Sequence, residues 1–284
     1  MNDCFKRGSI AMIAAASRKA LSILLLIIAP LLIAGCLEIE TVVHVNRDGS
    51  GTITERLVMS KEFVETMQEM APEGTLADLY NEQELRDATR GYGNGVTYVS
   101  AVNVETEFGK GYEATYAFTD VNNIRVGKKP GRKANDETET GTGGFTTFSM
   151  YPGNPTQLLI HWPVSENRSD NTEADETDAE DRAFSEQTPE QREAAMAMMQ
   201  ATFKEMRISM HVEVAGQIIN SNATHLRNNR VTLVDIAFAE FLNSAEAMEA
   251  MATDKEPTVA DMKEMLTLIP GLKMEIEPEI NVHF

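Results

Sequence analysis

From Leu37 onward apolar and polar residues alternate. Leu37, Ile39, Thr41, Val43 and Val45 interleave with Glu38, Glu40 and His44, and after Asn46-Arg47-Asp48-Gly49-Ser50-Gly51 the alternation resumes through Ile53, Leu57 and Met59. Turn residues between two period-two runs predict a β-hairpin. The period then changes. Ser60 stands as an N-cap before Phe63, Val64, Met67 and Met70, spaced at three and four, and Ala71-Pro72-Glu73-Gly74 ends that helix. A second helix is predicted from Thr75 to about Thr89. The turn Gly91-Tyr92-Gly93-Asn94-Gly95 follows, then strands Val96 to Glu107 and Tyr112 to Thr119, the latter with Tyr112, Ala114, Tyr116 and Phe118 on one face.

Residues 125 to 144 read as a loop rich in Gly, Lys and Thr, and Phe145 to Tyr151 and Gln157 to Trp162 as short strands. Residues 163 to 187 are acidic and poor in apolar groups, which predicts a disordered excursion within a domain rather than a boundary. Thr188-Pro189-Glu190-Gln191 then starts a helix with an N-cap, Pro at the first helical position and a capping-box Gln. Met196, Met199, Phe203 and Met206 form its buried stripe. It leads into a strand whose Ile208, Met210, Val212 and Val214 face inward. Strands near Ile218-Ile219 and at Val231 to Val234, short helices near 244 to 252 and 258 to 268, and a closing strand from Lys273 to His283 complete the reading; Pro278 places that last strand at an edge or bulge. Hairpins interrupted by helices in groups predict an α+β fold, a mainly antiparallel sheet with helices packed on one face.

The first 35 residues do not share this pattern. Lys6, Arg7, Arg18 and Lys19 precede an uncharged apolar run, Ala20 to Ala34, that is too short to span a bilayer comfortably and suits a secretory signal. The run ends in Leu32-Ile33-Ala34-Gly35-Cys36, which resembles the lipobox of bacterial lipoproteins. The resemblance implies cleavage before Cys36, diacylation of its sulfur and usually acylation of the new N-terminus. Two or more acyl chains hold a protein stably on a membrane. By the enterobacterial sorting rule, Leu37 in place of Asp implies the outer membrane. Residues 1–35 are therefore expected to be a lipoprotein signal peptide and 36–284 a single periplasmic domain, lipid-anchored in the cell envelope and facing the periplasm.

Composition narrows function. The 284 residues carry a net charge of -19, which excludes electrostatic binding of nucleic acid. Of two cysteines, Cys4 lies in the segment expected to be removed and Cys36 is the lipidation site. No thiol remains for a disulfide or a Cys-based metal centre. Walker A, GxSxG and HExxH motifs are absent, and His211-x-Glu213 lacks the Pro-Cys-x-x-Cys partner of a zinc deaminase. His44, His161, His211, His225 and His283 are scattered and read as structural or surface residues. The basic run Arg125, Lys128, Lys129, Arg132 and Lys133 reads as a solvated loop, and the eleven acids between 166 and 193 lack a calcium-loop register. The many methionines fill cores as readily as they line adaptable surfaces. No catalytic residue, metal or cofactor is expected.

A second resemblance covers the exported part. The strand-rich start, the Asp48-Gly49-Ser50-Gly51 hairpin, Gly216, Asn220 to Ala223 and the strand Val231-Thr232-Leu233 together resemble the LppM-like domains of bacterial envelope lipoproteins. Ala215-Gly216 stands where that family has Pro-Gly, Asn222-Ala223 where it has Asn-Gly, and Leu233 where it has Trp. The resemblance implies an α+β ligand-binding or structural lipoprotein. The expectation is thus an envelope protein, not an enzyme, held through acylated Cys36. It would bind lipid or another hydrophobic ligand, or, as the alternative, contact other envelope proteins as an assembly component.

Overall fold

The computed structural model describes residues 37–70, 79–127, 144–163, 205–244 and 271–284, with single positions between 263 and 269. The first hairpin forms as its alternation requires. Strands β1 (Leu37–Val45) and β2 (Gly51–Ser60) pair antiparallel from Leu37 opposite Met59 to Val45 opposite Gly51. Ile39, Thr41, Val43 and Val45 turn inward, while Glu38, Glu40, Val42 and His44 turn outward. The turn closes through the Asn46 amide donating to the Ser50 carbonyl at 2.8 Å, and Gly49 supplies the left-handed conformation with φ +86°. Ser60 caps helix α1 (Lys61–Met70) by accepting the Phe63 amide at 3.2 Å.

Helix α2 (Glu82–Tyr92) starts later than the sequence pattern predicts, because the Asn81 side chain accepts the Gln83 and Glu84 amides and sets the N-terminus there. It also runs through Tyr92, so the following turn is narrower than 91 to 95. Strands β3 (Thr97–Glu105) and β4 (Gly109–Phe118) extend the hairpin sheet on the β2 side. A short 3-10 turn at Val121–Asn123 leads to β5 (Arg125–Gly127), so the predicted loop at 125 to 144 begins as strand. The later strands are β6 (Phe145–Tyr151), β7 (Gln157–His161), β8 (Arg207–Val214), β9 (Asn220–Ser221), β10 (Leu226–Arg227), β11 (Arg230–Ala237), β12 (Leu272–Met274) and β13 (Glu279–His283). Helix α3 (Phe238–Asn243) follows β11.

Two sheets result. The eight-stranded one runs β10-β11-β8-β1-β2-β4-β3, with β12 on the same edge of β11 as β10; the five-stranded one runs β5-β6-β7-β13-β9. Pairing is antiparallel throughout except between β1 and β8. One hydrophobic cluster joins the inner faces of both: Val43, Ile53, Met210 and Val212 from the first, and Phe148, Leu158, Ile160, Ile280 and Val282 from the second. Sheet thus packs on sheet. Ile53 is fully buried in this interface, and burial of a side chain of that size contributes about 1.5–3 kcal/mol.

The α+β expectation is therefore overturned. The described structure is mostly β, 54% strand against 16% helix in three helices, and the face expected to carry helices carries a second sheet. The strands β6, β7 and β13 each bury alternate residues, so a sheet supplies the apolar cover that the first sheet needs. The closing strand from Lys273 to His283 is also corrected. It is two strands in different sheets, divided where the buried Glu275 carboxylate accepts the amides of Ile276 and Glu277 and the amide and hydroxyl of Thr224. Those bonds turn the chain from one sheet to the other. The strand expected at Ile218-Ile219 is displaced to β9. The signal segment, Cys36, the acidic excursion beyond residue 163, the helix with Met196, Met199 and Phe203, and nearly all of the helices expected over 244–268 lie outside the described residues.

Candidate functional site

Strand β2 alternates inward at Ile53, Glu55 and Leu57, so a carboxylate occupies a position that its neighbours fill with apolar groups. Glu55 stands in mid-sheet between Thr41 of β1 and Ala114 of β4. The inward face of β4 brings Tyr112 and Tyr116 beside it, and the last residue of α2 brings Tyr92. Five of the chain's six tyrosines gather here. The ring centroids of Tyr92 and Tyr116 are 5.0 Å apart, those of Tyr98 and Tyr116 6.1 Å, and those of Tyr80 and Tyr112 5.6 Å. Such tilted and edge-on arrangements are the favoured ones for aromatic pairs. At the rim, the Arg86 guanidinium lies 4.6 Å over the Tyr98 ring, and the Tyr80 hydroxyl donates to the Ala101 carbonyl at 3.1 Å.

Polar satisfaction within this nest is incomplete. Tyr92 donates its hydroxyl to Glu55. The Thr41 and Tyr116 hydroxyls are buried and have no hydrogen-bond partner among the described residues. Unpaired buried hydroxyls are uncommon, because each gives up its water without replacement. Burial raises the Glu55 carboxyl above its ordinary range, and the Tyr92 hydrogen bond offsets only part of that. Burial first, and the neighbouring Glu55 charge second, push Tyr112 up to about 12 and raise Tyr92 and Tyr116 as well. The nest thus holds a carboxyl that keeps its proton to higher pH than an exposed glutamate, flanked by hydroxyls that stay protonated. Such groups donate and accept hydrogen bonds against a wall of aromatic rings.

The outer face of the same sheet carries a second polar cluster. Arg230 Nε donates to Glu213 Oε1 at 2.7 Å and its Nη1 lies 3.5 Å from Glu40 Oε1; His44 Nδ1 lies 3.8 Å from Glu213 Oε2. His211 is buried on this face. Its Nδ1 lies 3.1 Å from Thr232 Oγ1 and its Nε2 3.8 Å from Glu40 Oε1. Burial, followed by the Arg230 charge, lowers the His211 pKa. Nearby, Asp235 accepts from Arg207 Nε and Nη2 at 2.9 and 3.1 Å and from Lys273 Nζ at 3.1 Å. Burial pushes Asp235 up, but these bonds outweigh it and hold the carboxyl below its ordinary range. These bonds join side chains of four strands, and the cluster reads as a brace across β1, β8, β11 and β12.

Of the residues singled out in the sequence, Cys36 lies outside the described residues, one position before β1 begins. His44 and His211 lie on the outer face of the large sheet. His161, 3.7 Å from Glu279, lies on the outward side of β7. No group of three metal-ligating side chains occurs among the described residues. Arg125 is in β5, its guanidinium 4.7 Å over the Phe145 ring and its Nε donating to the Gly91 carbonyl at 3.2 Å; the rest of the basic run lies outside the described residues. The nest itself was not foreseen. Its signal was Glu55 at an inward position of an otherwise apolar strand face, together with the tyrosines on the inward face of β4.

The glutathione S-transferase C-terminal domain family matches residues 178–274. That is about a third of the chain, leaves the nest outside, and does not place the chain in the family. No curated protein matches. A similar solved structure is the NMR structure of the folded domain of the Mycobacterium tuberculosis LppM protein, at 9% identity and a TM-score of 0.28, covering 72% of this chain and 84% of that one. Its name agrees with the resemblance in the sequence; a likeness of that size adds nothing about fold or function.

Proposed function

We propose that the protein is a bacterial envelope lipoprotein, anchored through acylated Cys36 and facing the periplasm, whose domain binds a lipid or other hydrophobic ligand with a polar end. One observation carries the binding part of this reading. The Glu55 nest combines aromatic walls with two buried hydroxyls that lack a partner, and a ligand hydroxyl or carbonyl would satisfy them. Glu55 carries no positive charge in either protonation state, and its burial penalises a second negative group beside it, so the nest favours an uncharged polar end over an anionic one. The nest offers rings, hydroxyls and one carboxyl, a set suited to holding a molecule rather than transforming it.

The full-length protein, extracted from membranes in mild detergent, is examined by native mass spectrometry beside a Thr41→Val, Tyr116→Phe double variant. A small-molecule adduct on the wild type that is lost from the variant supports the reading. No adduct, or the same adduct on both, contradicts it. A second reading, an assembly component, is favoured by β3. That strand ends the large sheet and exposes Val99 by 55% and Val102 by 53%. A stable protein complex in the same spectra would favour it.

A further inference from the structure

Strand β1 begins at Leu37, so a single peptide unit, about 3.8 Å from Cα to Cα, separates it from Cys36. There is no linker. The register shows what lies at that end of the sheet. Leu37 is opposite Met59, Ser60 is opposite Gly109, Lys110 is opposite Glu105, and Glu38 and Ala237 both pair with Arg207. Six strand ends therefore converge beside Cys36. From them leave helix α1 after Ser60, helix α3 after Ala237 and the tight turn 106–108, which is closed by the Thr106 amide donating to the Gly109 carbonyl at 2.8 Å. The opposite end, with the 46–50 turn and Asn94, lies a whole strand away. Nine residues of β1 span about 27 Å.

We infer that this end of the large sheet is a membrane-contacting surface, and that the bilayer holding Cys36 lies against the start of α1 and the 106–108 turn. The inference rests on the anchor proposed above and adds the orientation and the surface. An acyl chain attached directly to a central strand leaves that strand end no room to move away, whereas a flexible linker would. Phe63 and Phe108 are half-buried at this end and expose ring surface at headgroup level. Charge decides which lipid is favoured. Lys61 and Lys110 are exposed beside Glu62, Glu65, Glu105 and Glu107, and Lys110 is paired to Glu105 at 3.5 Å. The acidic excess suits a zwitterionic surface and is repelled by an anionic one. The same end presents the Tyr80 and Tyr112 rim of the nest toward the bilayer, since Tyr112 pairs with Leu57 and lies closer to it than Tyr116, which pairs with Ile53.

The test uses the mature acylated protein in phosphatidylcholine vesicles. An environment-sensitive fluorophore is placed at Glu107→Cys or, separately, at Asn94→Cys, the leader with Cys4 being removed and Cys36 blocked by its acyl group. Nitroxide lipids labelled near the headgroup should quench position 107 several-fold more than position 94, and replacing part of the lipid by an anionic one should weaken that quenching. Acylated protein with equal quenching at both positions, or stronger quenching at 94, overturns the orientation while leaving the anchor intact. Protein whose mass shows no lipid on Cys36 overturns the anchor, and the orientation with it.

Discussion

Removing one oxygen from each of two neighbouring tyrosines should move stability in opposite directions. The Tyr116 ring is fully buried between Tyr92 and Tyr98, and its hydroxyl has no partner among the described residues. Tyr116→Phe keeps the ring contacts and removes a desolvated hydroxyl, a group whose unpaired burial costs about 1–3 kcal/mol. It should therefore stabilise the ligand-free protein by about 1 kcal/mol. Tyr92→Phe deletes the donor that Glu55 receives. An ordinary hydrogen bond contributes about 0.5–1.5 kcal/mol net, and its loss also leaves a buried carboxyl without that partner, so this variant should lose about 2 kcal/mol. Urea unfolding reports both, followed by the fluorescence of Trp162, the single tryptophan, which is buried in the core. A loss of 1 kcal/mol or more for Tyr116→Phe in protein stripped of ligand would show that the hydroxyl is satisfied, and would refute its description as a buried group without a partner.

Three further outcomes are expected. Because burial raises Glu55 above 4.5, its protonated form stabilises the fold; that contribution is complete below pH 4.5 and is lost as pH rises through the folded-state value. The stability difference between Glu55→Gln and wild type, measured by urea unfolding across that range, should grow in favour of the variant, and a flat difference would contradict the burial. Arg207→Ala removes two of the three donors to the buried Asp235 and should cost about 1.5–3 kcal/mol by the same assay, well above an ordinary surface change. Glu82→Gln, which breaks the exposed ion pair to Arg86, should stay within about 0.5 kcal/mol.

The local elements were legible because their causes are local. The first hairpin, the Ser60 cap and the shared face of Tyr112, Ala114, Tyr116 and Phe118 follow from side-chain alternation and capping within a few residues. The sandwich was not, because nothing within β6 or β13 states that its apolar face meets another sheet rather than a helix. Likewise the parallel pairing of β1 with β8 joins residues about 170 positions apart, and its consequence, the Arg230 brace to Glu40 and Glu213, exists only once that pairing forms. Arg207 could be placed on the outer face of its strand from alternation, yet its bond to Asp235 depends on the register with β11. Glu55 was missed although its signal is local. A charge between Ile53 and Leu57 on an inward-facing strand is a local conflict, and such conflicts mark sites where structure has been spent on something other than packing.

The central claim is that Cys36 is the lipid anchor from which the domain hangs, and the mass of the mature N-terminus tests it most directly. The account requires that protein extracted from membranes begins at Cys36 and that its first peptide carries a diacylglyceryl group, usually with a further acyl chain, while a Cys36→Ser variant retains residues 1–35 and carries no lipid. An unmodified cysteine at position 36 in the membrane-extracted protein, or an intact leader in the wild type, would contradict it.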